Sequence, residues 1–160
     1  MAVFKYKLQN ILDIKFRLED QAKAAFATAM AKLNEEEDKL RLLQRRRDEY
    51  EEQGRNLRSD VLSISDLRDN THALENLKEQ ILLQQKEVDK ANTKVEQARI
   101  KLNEAIQERK IHEKLRERSF EEFVHEINAA ESKEIDELVS YTYGERIHGE
   151  TTGRSGIEEA

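Results

Sequence analysis

The chain has 160 residues, of which 39% are charged and 37% hydrophobic, with no Pro, Trp or Cys, five Gly and a net charge of -6. The missing Cys excludes disulfides, thiolate metal sites and cysteine nucleophiles, and the acidic balance argues against nucleic acid as the main partner. So high a charged fraction leaves either disorder or long solvated helices, and periodicity decides for helices.

The first element is a helix expected over about Phe4 to Gln53. Its apolar stripe is Leu8, Ile11, Leu12, Leu18, Ala22, Ala25, Ala29, Leu33, Leu40, Leu43, Tyr50 and Leu57, and it slips by about four residues near Met30, which predicts a stutter. A turn follows over about residues 54–65. Gly54 is able to end the first helix, and Ser63, Ser65, Asp66, Asp69 and Asn70 are candidate caps for the second. An extra short helix over 55–70 stays open, because "VLSISDLRDN" is weakly periodic.

The second helix is expected from about Ser65 to Tyr141. Leu74, Leu77, Ile81, Gln84, Val88, Ala91, Val95, Ala98, Leu102 and Ala105 follow an unbroken alternation of three and four, the mark of a coiled-coil seam. Beyond Ala105 that track meets Arg109 and His112, so a shifted stripe of Ile111, Leu115, Phe120, Phe123, Ile127, Ile135 and Leu138 is expected to take over. Residues 142–160, with four Gly and no stripe, are expected to form a disordered tail. The fold class is therefore all-α: residues 4–141 form two long helices in an antiparallel coiled-coil hairpin whose turn is centred near Leu62.

The candidate chemistry is thin. Glu122-x-x-His125 and Glu145-x-x-His148 have a spacing used by metal sites in helical bundles, yet such sites draw on four helices and this chain supplies two. His112-Glu113 would need a second His four residues on to open a zinc-protease motif, and Arg116 stands there. His72, His112, His125 and His148 are read as solvated positions. Arg45, Arg46 and Arg47 are followed by Asp48, Glu49, Glu51 and Glu52, a self-neutralised face rather than a nucleic-acid reader. No phosphate loop, metal site, cofactor or small-molecule substrate is expected, and a two-helix hairpin encloses no pocket for catalysis. Phe4, Tyr6 and Phe16 should meet Phe120 and Phe123, either as an aromatic plug or as a surface for a partner.

No apolar run approaches the ~20 residues needed to cross a bilayer, and "MAVFKYKLQN" lacks a signal-peptide core, so a cytoplasmic location is expected. The stretches "FKYKLQNILDIKFRLEDQAK", "LNEEEDKLRLLQRRRDEYEEQG", "ERKIHEKLRERSFEEFVHE" and "ESKEIDEL" resemble, in order and spacing, the FliJ family of flagellar export proteins over about residues 4–140. The resemblance implies a non-enzymatic component of the flagellar type III export apparatus, an antiparallel coiled coil similar to the central stalk of rotary ATPases and peripheral at the cytoplasmic face of the membrane. Its implied partners are the hexameric flagellar export ATPase, the cytoplasmic domain of the export gate and export chaperones.

By the same resemblance, Phe4, Tyr6, Phe16, Leu115, Phe120 and Phe123 would meet the ATPase ring, and Leu43, Tyr50, Leu77, Ile81 and Gln84 the gate. Leu77 and Ile81 also lie on the heptad seam and are read as core, which leaves Tyr50 as the better contact. Family members often carry further aromatics on the gate surface, where Arg46 and Ala73 stand here. The alternative is a structural coiled-coil scaffold or self-assembling rod with no ATPase partner.

Overall fold

The computed structural model describes residues 2–59 and 63–154, with side chains described as far as residue 149. Two helices make up the architecture, α1 (Gln9–Ser59) and α2 (Ile64–Arg154), and no strand occurs among the described residues. The chain divides into two units: Met1–Leu12 with Ile111–Ala160, and Asp13–Lys110.

Within the Asp13–Lys110 unit, α1 and α2 pack antiparallel, because contacts pair early residues of α1 with late residues of α2. Glu19 meets Arg109, Glu36 meets Gln84, and Gly54 meets Asn70, so the pairs step outward from about residue 62, as the sequence suggested. Leu33, Val88, Ala91 and Val95 form the core, and Phe26, Ala29, Met30 and Leu40 pack against it. All the seam positions read on α2 from Leu74 to Ala105 are buried or half-buried.

The seam of α1 differs from the expected stripe. There is no slip at Met30. Leu12, Lys15, Glu19, Ala22, Phe26, Ala29, Leu33, Glu36, Leu40, Leu43, Arg47, Gly54 and Leu57 are buried or half-buried, and with Tyr50 filling the one surface step they keep a single alternation of three and four. Ile11, Leu18 and Ala25 are exposed instead. The apolar residues of α1 slip near Met30 while its covered face does not, because Glu19, Glu36, Arg47 and Gly54 hold seam positions.

The second half of α2 is corrected in the same sense. Arg109, His112, Ser119 and Phe123 continue the original phase at half-buried positions, and Ile127, one residue off that phase, is half-buried as the shifted stripe expected, whereas Ile111, Leu115, Phe120, Ile135 and Leu138 are exposed. The covered face keeps its register past Ala105, with Arg109, His112 and Ser119 on it, and steps by one residue between Phe123 and Ile127.

The helix ends also move. Residues 2–6 are not helical, and α1 starts at Gln9 rather than near Phe4, with the Ile11 and Leu12 amides donating to the Leu8 carbonyl. Gly54 does not end α1. It sits within the helix, buried, and a Cβ there would stand 2.6 Å from the Asn70 Oδ1, so a glycine lets Asn70 come in. The last turn is closed by Arg58 Nε donating to the Gly54 carbonyl at 3.2 Å and Ser59 Oγ to the Asn56 carbonyl at 2.9 Å. Ser63 caps α2, accepting from the Asp66 amide at 3.4 Å, with Asp66 placed favourably in the first turn. Residues 55–59 thus belong to α1 and 64–70 to α2, while 60–62 lie outside the described residues.

At the far end, α2 runs on to Arg154 instead of stopping near Tyr141, so residues 142–154 are helical and not a loose tail; 155–160 lie outside the described residues. With no Pro to stop it, the helix passes Gly144 and Gly149, and Thr142 returns its hydroxyl to the Leu138 carbonyl at 2.8 Å.

Candidate partner-binding surfaces

The polar seam positions matter most in the Asp13–Lys110 unit. Glu36 accepts from Gln84 Nε2 at 2.6 Å, and the same nitrogen donates to the Glu36 carbonyl at 2.9 Å. Lys32 and Lys39 close over that carboxylate at 2.9 and 3.3 Å. The Gln84 bond, then the Lys32 bond, hold Glu36 well below its ordinary 4.5, at about 2. Glu19 is clasped by Arg109 through Nε at 2.6 Å and Nη2 at 3.3 Å, which lowers its pKa, and Lys23 adds a second cation. The Arg109 guanidinium also lies 5.8 Å from the Phe16 ring centroid. Asn70 Nδ2 donates to the Tyr50 carbonyl at 2.8 Å from its place against Gly54. Each of these layers is satisfied only when its two positions stand opposite each other, so a slip by one heptad would strand a carboxylate or an amide on the seam.

These layers determine which residues read from the sequence are accessible. Leu77 is 6% exposed and Gln84 is tied to Glu36, so both serve the seam, and Ile81 is half-buried. Tyr50 is 38% exposed, and Leu43 lines a shallow surface groove with Gln80, Leu83, Gln84, Lys86, Glu87 and Lys90. Leu83, exposed in that groove, was missed because it lies off the heptad track.

In the other unit, Phe4 meets Phe120 edge-on at 5.2 Å and Phe123 at 5.4 Å, and the Arg116 guanidinium sits 5.8 Å from the Phe4 ring. Arg116 Nε also donates to Gln9 Oε1 at 3.0 Å. Tyr6 is half-buried in a groove lined by Val3 to Leu8 on one side and by Ser119, Glu122, Phe123 and Glu126 on the other. Phe120 and Leu115 keep exposed faces. Phe16 does not join this cluster; it belongs to the Asp13–Lys110 unit, beside Arg109.

The histidines behave differently from one another. His72, His125 and His148 are exposed, but His112 is half-buried on the seam, contrary to its reading as solvated. Among the described residues, no three His, Asp or Glu side chains come together in a way that could hold a metal ion.

The sequence profile of the family described as Flagellar FliJ protein matches residues 4–147. The chain belongs to the FliJ family. Membership makes it a component of the flagellar type III export apparatus. No curated protein matches the chain. Among solved structures, it is similar to that of a proposed YscO homolog from Chlamydia trachomatis, with a TM-score of 0.58 and 20% identity, covering 92% of this chain and 99% of that one. At that identity the likeness speaks for the fold: two long helices folded back on each other. No helix among the described residues of this FliJ-family chain is long and apolar enough to cross a membrane.

Proposed function

We propose that this chain acts as the stalk-like coupling element of the flagellar export machinery, binding the hexameric export ATPase, contacting the cytoplasmic domain of the export gate and assisting export chaperones. It works by binding, without chemistry of its own, peripheral at the cytoplasmic face of the membrane. A hairpin within a symmetric ring favours whichever subunit conformation it binds best, and so biases the order of hydrolysis.

The observation that supports the ATPase contact is the aromatic cluster of Phe4, Phe120 and Phe123, half-covered internally yet leaving Phe120 47% and Leu115 40% exposed. Tyr6 extends that surface within the same unit, and Phe16 offers a separate exposed ring. The gate contact is assigned to Tyr50 and Leu43, with Leu77, Ile81 and Gln84 acting from the seam by holding the surface in shape. A scaffold without an ATPase partner is the second reading, favoured by the exposed aliphatic residues near the end of α2.

The test is the ATP hydrolysis rate of the export ATPase from the same organism, titrated with the full chain, with a version lacking residues 1–16, and with Leu115→Ala/Phe120→Ala. The stalk reading expects stimulation by the full chain and its loss in both variants, with helicity of the double substitution unchanged. No change under ring-forming conditions would favour the scaffold.

A further inference from the structure

The end of α2 carries a face that neither the seam nor the proposed ring contact uses. From residue 128 to 149 no position is buried or even half-buried. Ile135, Leu138 and Val139 are exposed at 59%, 66% and 62%, and Leu138, Val139, Thr142, Tyr143 and Arg146 line one shallow patch. At 3.6 residues per turn, Glu131, Ile135, Leu138, Val139, Thr142 and Arg146 share one side of the helix. A single helix of this length gains little from propensity alone, and most helical stability comes from packing an amphipathic face.

The order of residues along this face singles out an occupant. Four residues separate Glu131 from Ile135 and four separate Thr142 from Arg146; three separate Ile135 from Leu138 and three separate Val139 from Thr142. The spacing reads the same in both directions about a point between Leu138 and Val139, with an anion at one end and a cation at the other. Neither Glu131 nor Arg146 has an ion pair among the described residues.

We propose that this face is a self-association surface, on which the α2 segments of two copies of the chain pair antiparallel about a two-fold axis between Leu138 and Val139. Ile135 of one copy lies against Thr142 of the other, Leu138 against Val139, and Glu131 against Arg146 at both ends. An isologous contact of this kind requires a self-complementary surface, and the palindromic spacing provides one. A parallel pairing would set Glu131 on Glu131 and Arg146 on Arg146, so charge alone selects the antiparallel arrangement. The exposed apolar stripe of a FliJ-family chain is then covered by another copy whenever no other partner is present, which goes beyond the ring and gate contacts proposed above.

Because the chain has no Cys, single cysteines report the geometry without background. Full-length chains bearing E131C are mixed with chains bearing R146C and mildly oxidised, while each is also oxidised alone, and solution mass is measured for the wild type, Leu138→Glu, Arg146→Glu and the swap Glu131→Arg/Arg146→Glu. The proposal expects a concentration-dependent dimer and a mixed disulfide that forms much faster than either homodisulfide. It expects a monomer for Leu138→Glu with helicity retained, a dissociation constant raised about tenfold or more by Arg146→Glu, and recovery in the swap. A wild type that stays monomeric throughout, a dimer indifferent to Leu138→Glu, or homodisulfides forming as fast as the mixed one would overturn it.

Discussion

Between Leu74 and Ala105, and again between Ile135 and Tyr143, α2 carries apolar residues three and four apart, yet Val95 is 2% exposed and Leu138 66%. The local pattern is alike in the two stretches; what differs is the presence of an opposing helix. In the Asp13–Lys110 unit the seam faces α1 and tolerates Glu19, Arg109, Glu36, Gln84 and Asn70, because each of these finds its counterpart across the interface. Among the described residues no opposing helix covers 128–146, and Ile135, Leu138 and Val139 stay in water. Burial in this protein therefore follows from pairing, and polarity on the seam marks the register of that pairing rather than its edge.

The largest effect should come from truncating the covered seam. Leu33→Ala is expected to cost about 2–3 kcal/mol in chemical denaturation, the lower part of the usual range because a two-helix core can partly close the gap. If it cost no more than a surface change, the packed core of this unit would be wrong.

Arg109→Met sharpens the same contrast through charge. It leaves Glu19 on the seam with only Lys23, so the variant should be less stable than the wild type at neutral pH. Glu19 has its pKa lowered first by Arg109, and losing that cation raises its folded value toward or above the unfolded one. The variant should therefore lose less stability on acidification than the wild type does, or even gain some, as read by melting temperature against pH.

Acid titration of the wild type addresses the Glu36 layer. Its folded pKa of about 2 lies below the ordinary 4.5, so the carboxylate contributes fully above the unfolded value, and that contribution fades as pH falls from 4.5 toward 2. Glu36→Gln should flatten that limb of the profile, and an unchanged limb would remove the layer from the account.

A smaller effect distinguishes the Gly54 layer. In an Asn70→Ala background, Gly54→Ala should stabilise by about 1 kcal/mol through helix propensity, whereas with Asn70 in place the added Cβ meets the amide oxygen and most of that gain disappears. Smallest of all is Leu138→Ala in the monomer, expected within about 0.5 kcal/mol of the wild type.

Much of this fold was legible in the residues. The seam from Leu74 to Ala105 is nearly all apolar, and Pro-free sequence on both sides of one turn region leaves little besides a hairpin. The seam of α1 was harder to read, because Glu19, Glu36 and Gly54 look like interruptions until their partners on α2 are known, and Arg47 pairs with Asp48 and Glu51 of its own helix. The same ignorance of pairing put Ile111, Leu115 and Phe120 on an expected helical stripe, with Leu115 and Phe120 also expected to meet a partner, and made His112 look like surface. Of the surfaces expected to meet partners, the meeting of Phe4 with Phe120 and Phe123 was readable from antiparallel geometry, but the separate place of Phe16 beside Arg109 was not. Leu83 left no periodic signal, since an exposed apolar residue off the seam resembles ordinary surface.

The most direct test is amide hydrogen exchange followed along the whole chain at a dilution where it is monomeric, since exchange reports how each stretch opens. The account predicts that amides around Leu33 and Val95 exchange slowest, at the rate set by global unfolding, and that those of residues 128–149 exchange faster by orders of magnitude. Protection in 128–149 equal to that at Val95 in the monomer would contradict it, because that stretch would then be covered by something the paired helices do not supply.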